Sequence, residues 1–406
     1  MTVRIIVECN VCHSRYVFKC QCDHVMNNGE MPIRIGCKNC GNLIKGSISR
    51  TDIHLDTGLQ ITLTELMEQY PMVGISTELP ICKDCYFTNN IINNYLVLGG
   101  HFKSLSNYSK RISLLVNGMN ETIDGLNTLH RIYENGNIQV FSQFAEKKFG
   151  KPFDEVISSK SEMRIGLINL LVKTFQVICT DEYYANFTQP YIVELDKGLE
   201  TMSSIEATDL KNTISAYMDF ESELDKSISL LMKFLDGLQA IYPVILLLEE
   251  GDFKREYKGD LYLSTTDYDD IKNWFAEMFE LLSRWSMLLI GLENHSIRKR
   301  YDLMPDSGKF VDFCKKTNGQ KSAYIRDNCW LNGYYLKTLD NKIRNGINHV
   351  KTTYDTNKQI ITYFPNINKI SEKHEIALVD FSFIILQQAI KLLESLYLAK
   401  KILQKR

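Results

Sequence analysis

Two Cys-x-x-Cys pairs near the N-terminus, Cys9-Asn10-Val11-Cys12 and Cys37-Lys38-Asn39-Cys40-Gly41, constrain this chain more than anything else in it. Each pair lets two thiolates reach one tetrahedral ion, and a glycine after the second knuckle lets the backbone turn under the metal. The runs Val3–Val7, Arg15–Lys19, Ile33–Gly36 and Leu43–Ser49 around them are rich in β-formers, with Tyr16, Val17 and Phe18 as a small core. A disulfide framework is the competing use of such cysteines, but it needs an oxidising compartment. Met1–Asn10 has neither the apolar core nor the cleavage site of a signal peptide, and it reads as strand.

These features resemble a zinc ribbon with Cys9, Cys12, Cys37 and Cys40 as ligands of one structural Zn²⁺. Eight of the 11 cysteines lie in the first 85 residues. The remaining four of that group, Cys20, Cys22, Cys82 and Cys85, have the spacing for a second four-thiolate site. Alternatively they are free thiols, or one pair is joined by His24 or His101. Cys179, Cys314 and Cys329 are isolated in helical stretches and read as small buried apolar residues. Residues 1–100 carry 8 Lys+Arg against 9 Asp+Glu, a balance that does not favour phosphate binding. The ribbon therefore reads as a protein-interaction surface, a structural cap or a sensor.

Residues 51–98 extend the β-rich region, with near-alternation of Ile53, Leu55, Leu59, Ile61 and Leu63 and a short helix expected over Thr64–Tyr70. Gly99-Gly100 marks a boundary, and residues 99–259 carry helical periodicity. One helix begins at Ser161-Glu162, and an interrupted pattern spans Ile205–Leu248. Asp267 is the expected N-cap of a helix Tyr268–Ile290, whose Trp274, Phe275, Met278, Leu281, Leu282, Trp285 and Leu289 suit the heart of a bundle. There is no Walker loop, GxGxxG, Ser-His-Asp or HExxH signature. Leu238–Leu248 is too short an apolar run to span a bilayer. The chain divides into residues 1–50 (zinc ribbon), 51–98 (β-rich extension), 99–259 (helical middle) and 260–406 (helical C-terminal domain), a mainly α architecture. Reduced cysteines and no export signal predict a cytoplasmic protein without a membrane partner.

The C-terminal domain carries Arg344-Asn345-Gly346-Ile347-Asn348-His349. With 14 arginines and 8 histidines in 406 residues, chance supplies about 0.3 such pairs, so context decides. Ser322–Asn348 reads as one helix, followed by a turn at Asp355–Asn357, a short strand closed by Pro365, and a last helix from about Glu375 to Leu403. This arrangement, arginine, polar residue, three residues, histidine, then turn-strand and closing helix, resembles the HEPN superfamily over about Asp267–Arg406. The resemblance implies a metal-independent endoribonuclease of the toxin or antiviral-defence type. In it Arg344 and His349 are the catalytic pair and Asn345 orients.

Five residues along a helix place Arg344 and His349 about 140° apart, so they do not share a face. Two copies across a twofold axis would converge both pairs on one phosphate, which makes a homodimer the expected active species. The partner expected for the domain is RNA. The whole chain has 47 Lys+Arg and 49 Asp+Glu, but Arg298–Arg406 has 20 and 10, leaving 27 and 39 elsewhere. A basic C-terminal third fits a polyanion, and its interleaved aromatics Tyr301, Phe310, Trp330, Tyr334, Tyr335, Tyr354 and Tyr363 suit unpaired bases where they face out. The alternative is a non-catalytic binding or adaptor protein in which the bundle is a scaffold. A zinc-ribbon transcription regulator fits poorly with the non-basic N-terminus.

Overall fold

The computed structural model describes residues 2–21, 30–49, 53–61, 69–88, 94–100, 102, 105–150, 157–179, 181–249, 257, 259–348, 352–366 and 372–405. The protein is mainly α, with a β-rich N-terminal region and a helical C-terminal array. It folds into two compact units. Unit 1 comprises 1–120, 237–273 and 345–386; unit 2 comprises 121–236, 274–344 and 387–406.

Unit 1 holds every strand among the described residues. β1 (Thr2–Glu8) and β2 (Arg15–Gln21) pair antiparallel, closing at Glu8 opposite Arg15. β3 (Met31–Gly36) and β4 (Leu43–Ile48) form a second hairpin, and β5 (Ile53–Leu55) adds to β4. β6 (Leu59–Ile61) returns to β1, and β7 (Met72–Ser76) lies parallel to β2 with β9 (Phe87–Thr88) beyond it. β8 (Ile81–Cys82) pairs with β10 (Leu261–Tyr262). β11 (Thr353–Asp355), β12 (Ile360–Tyr363) and β13 (His374–Ala377) make a separate antiparallel sheet.

The four expected N-terminal strands appear within one or two residues of their expected limits, because alternating burial is a local property. Ile33, Ile35, Ile44 and Ile48 are all buried. Later segments of the chain complete this unit. Arg34 hydrogen-bonds Asp270 at 3.0 Å, and the Ser264 hydroxyl donates to the Ser76 carbonyl at 2.8 Å. The helix expected over Thr64–Tyr70 falls largely outside the described residues.

The regular elements of unit 2 are all helices among its described residues. Lys160–Ile178 starts one residue before its expected position, because Ser159 accepts from the Glu162 amide. Ser204–Ser215 opens on a capping box between Ser203 and Glu206. The core gathers Phe220 edge-on to Trp285, and Phe175 stacked on Phe234. The Trp285 indole donates to Ser227 at 2.9 Å, satisfying the one polar atom that this ring buries.

Two expectations are corrected. The single helix Ser322–Asn348 is a series of short elements: Asn318–Asn328, Asn332–Tyr335, a 3₁₀ turn Leu336–Leu339, and Asn341–Asn348. The first break is held by Glu293, whose buried carboxylate accepts the Trp330 and Leu331 amides at 3.1 and 3.3 Å. Burial raises the Glu293 carboxyl. The second break is Leu336 at φ +41°, and the third is Asp340, which accepts the Lys342 amide at 2.7 Å. Apolar spacings of three to six residues do not distinguish one long helix from short helices draining into the same core. The closing helix is Leu378–Gln404, not Glu375 onward, because His374–Ala377 is taken by β13 against β12. That helix is apolar enough by composition to cross a membrane, but 94% of its apolar window is buried within the fold, as a core helix is.

Candidate metal centre and the arginine motif

The two Cys-x-x-Cys knuckles are the turns of two hairpins, β1–β2 and β3–β4, and they are built alike. The Cys9 amide donates to Ser14 O and the His13 amide to Cys9 O. The Cys37 amide donates to Asn42 O and the Gly41 amide to Cys37 O. The equivalent turn residues, His13 and Gly41, both take positive φ, 59° and 73°. The equivalence is visible in the sequence as Cys-x-x-Cys-Gly-Asn beside Cys-x-x-Cys-His-Ser, with a histidine in the place of the turn glycine.

The hairpins bring the ligand atoms of Cys9, Cys12, Cys37 and Cys40 within 4.8 Å of one another. Cys9 and Cys40 sulfurs lie 3.7 Å apart, and Cys12 and Cys37 sulfurs 3.5 Å. Four thiolates about 2.3 Å from one tetrahedral ion stand about 3.8 Å apart, so the cluster fits a metal ion of that kind. The sulfurs have hydrogen-bonding neighbours of their own. The Tyr16 hydroxyl lies 3.1 Å from the Cys37 sulfur and accepts the Asn39 amide at 3.3 Å. Ser14 Oγ lies 3.3 Å from the Cys12 sulfur and draws its thiol down to about 5. Tyr16 moves upward, through burial and the neighbouring Cys37.

The knuckle is also where the C-terminal hairpin lands. At the β11–β12 turn, Thr356 Oγ1 donates to Gly41 O at 2.6 Å and Asn357 Nδ2 to Lys38 O at 3.3 Å. Gly36 lies so close below that an added Cβ would come within 2.7 Å of the Thr356 carbonyl oxygen. Residues more than 300 positions apart in the chain thus share one turn in unit 1, a contact that no local pattern announces.

The other cysteines are placed differently. Cys20, Cys82 and Cys85 are buried, and among the described residues they form no metal-holding group of three. Burial lifts the Cys82 thiol to about 12 and raises Cys85. Cys22, His24 and His101 lie outside the described residues. Cys314 and Cys329 are buried, and Cys179 is half-buried.

Arg344 sits on Asn341–Asn348 and is 29% exposed at its side chain. Its Nε and Nη2 both donate to Glu280 Oε1, at 3.0 and 2.7 Å. The Asn318 side chain donates to the other oxygen of the same carboxylate. Glu280 and Asn318 were not singled out from the sequence, since they lie 64 and 26 positions upstream. Asn345 is half-buried, at the next helical position. In unit 1 the backbone of Gly346 is packed against Tyr363, where an added Cβ would lie 2.7 Å from the tyrosine Cβ. His349 lies outside the described residues. Comparison with protein-family models, curated proteins and solved structures yields no match.

Proposed function

We propose that this protein is an endoribonuclease that cuts RNA through the ribose 2′-oxygen and uses no catalytic metal. The 2′-oxygen bonds to its neighbouring phosphorus as the bond to the 5′-oxygen breaks, leaving a 2′,3′-cyclic phosphate and a 5′-hydroxyl. His349 takes the 2′-proton or delivers one to the departing 5′-oxygen. Arg344 holds the phosphate and the charge that builds on it, and Asn345 orients the pair.

The observation that carries this reading is the fixed guanidinium. Glu280, itself held by Asn318, orients Arg344 while leaving it partly exposed. An arginine anchored by a carboxylate and still partly exposed is suited to act as a phosphate clamp. Glu280 is then a positioning residue. The basic C-terminal third supports RNA as the substrate. By resemblance to the HEPN superfamily, such an enzyme serves antiviral defence or growth arrest and works as a homodimer.

The ion of the four-cysteine cluster is Zn²⁺ in this reading. Four thiolates fill its tetrahedral positions and leave none for substrate, so its role is structural.

The test incubates wild type, Arg344→Ala and His349→Ala with total RNA and a tRNA mixture during brief exposure to EDTA, and maps the ends. Cleavage by wild type alone, with cyclic phosphate ends, is the expected result. Full cleavage by both variants, or cleavage that requires added metal, overturns the proposal.

A further inference from the structure

Unit 2 carries two hollows of opposite charge. The larger, about 790 Å³, runs between Phe220–Asp236 and the unit 2 part of Tyr268–Arg298. Five carboxylates line it, Asp219, Glu221, Asp225, Glu277 and the Arg344 partner Glu280, against three cations. Its Glu221 and Asp225 are already engaged with the buried guanidinium of Arg164. Over this hollow as a whole a phosphodiester would meet net negative charge, offset at Glu280 by Arg344.

The smaller, about 340 Å³, lies between one face of Asn318–Asn328 and the interrupted stretch 332–342. Gly319, Ser322, Ala323 and Arg326 recur on that helix face at spacings of three and four. Opposite them stand Lys337 and Lys342, so three cations line the hollow with one carboxylate, Asp340, and Arg326 is itself paired with Asp327 at 2.9 Å. Asp340 caps the following helix by accepting the Lys342 amide.

The wall is held rigidly. Leu336 takes φ +41°, a conformation that a leucine keeps only where its surroundings impose it. They do so from two sides: the Ser322 hydroxyl donates to Leu339 O, and Gln388 Nε2 donates to Thr338 O at 2.8 Å. Gly319 lets the Asn341 amide group approach the helix backbone, where an added Cβ would meet it at 3.0 Å.

Close in sequence to the lining of this hollow is an exposed aromatic. Trp330 falls four residues after Arg326 and two before Asn332, both of which line the hollow. It is 42% exposed, whereas Phe310, Tyr334, Tyr335 and Tyr363 are buried. Tyr191 backs it at 4.7 Å between ring centroids and in turn meets Tyr334 at 5.6 Å. Gly333 makes room for Tyr191, whose hydroxyl occupies the place of a Cβ there. An exposed indole fixed from behind is a platform on which an unpaired base stacks without losing side-chain freedom.

We propose that the hollow between Asn318–Asn328 and residues 332–342 binds a phosphate of an unpaired nucleotide strand, with an adjacent base stacked on Trp330. The strand being RNA rests on the ribonuclease reading, but the binding itself does not require cleavage. The shared chemistry is a phosphate next to a base, which a free mononucleotide also offers.

Fluorescence anisotropy of a labelled twelve-residue oligouridylate on the full chain tests this, over a salt titration. Lys337→Glu with Lys342→Glu should weaken binding at least tenfold and lower the log–log salt slope by about 1.4, two contacts at about 0.7 each. Trp330→Ala should weaken it about tenfold with the slope unchanged. Lys226→Glu with Lys233→Glu, in the acidic hollow, should stay within twofold of wild type. AMP competition at comparable affinity would assign the hollow to a free nucleotide, and its absence to a strand; either fits the site. Binding by the Lys337/Lys342 variant within twofold of wild type, with the slope unchanged, overturns it. RNA bound but uncut keeps this site and removes the ribonuclease; RNA cut, with binding unaffected in that variant, does the reverse.

Discussion

The metal knuckles of unit 1 and the Arg344 segment of unit 2 both begin as short sequence motifs, and they become structure by different routes. At the knuckles, spacing almost suffices: each Cys-x-x-Cys closes its own hairpin with the same two backbone hydrogen bonds, and the hairpins bring four sulfurs together. At Arg344, spacing does little. The side chain is placed by Glu280 and Asn318, and its helix exists as a separate piece because Leu336 and Asp340 interrupt the chain before it. A ligand set carries its geometry in the coordination chemistry, whereas an arginine site borrows its geometry from tertiary partners.

The sharpest way to break this contrast is to remove the metal. Binding energies of about 10 kcal/mol or more for structural zinc exceed what a small β unit gains from its own core. Cys37→Ser, or stripping with a thiol-directed reagent and EDTA, should therefore melt the β-rich unit, seen as loss of strand signal by circular dichroism. Amide exchange should rise at the β11–β12 turn as well as at the knuckle, since Thr356 and Asn357 rest on it. Retained protection at Thr353–Tyr363 would mean that the hairpin is held without the knuckle.

At the arginine, Glu280→Ala should lower cleavage at least tenfold through lost orientation. Its stability cost should be about 1 kcal/mol, because the pair is partly exposed on both sides. Unchanged or raised cleavage would make Glu280 a bystander or a lock instead. The two knuckle turns offer a finer comparison. Gly41→Ala should destabilise by about 1 kcal/mol and His13→Gly stabilise by about 0.5 kcal/mol, because both positions take the left-handed conformation. Equal effects in a urea titration would contradict the equivalence of the turns.

A buried group of unit 2 gives a test through pH. Burial lowers the Lys391 ammonium to about 7, while its ordinary value is 10.5. The unfolded chain thus binds more protons between these values, and stability should rise with pH across that window. Lys391→Met should flatten that rise in thermal melts. A persistent slope would assign it to other groups.

The sequence made the ribbon legible because its signals are local: strand alternation, paired thiols and a turn glycine. The landing of Thr356 on Gly41 was illegible, since nothing in a threonine 315 residues away marks it. The expected helix Ser322–Asn348 failed for a related reason. Ile325, Leu331, Leu339 and Ile343 are all buried, as a helix stripe would be, but they reach the core from separate elements. The breaks depend on Glu293 capturing the Trp330 and Leu331 amides from a distant helix. Aromatic content pointed to base stacking, but only tertiary packing distinguishes exposed Trp330 from buried Tyr334 and Tyr335.

The central claim is that the thiolate metal builds the protein while side chains perform the chemistry. The most direct measurement is the rate of RNA cleavage in EDTA, before and after the metal is stripped from the four cysteines, with Arg344→Ala alongside. The account predicts an unchanged rate in EDTA alone, loss of cleavage together with β11–β12 protection on stripping, and silence of Arg344→Ala throughout. A rate that follows added Mg²⁺, or full activity in the stripped protein, would contradict it.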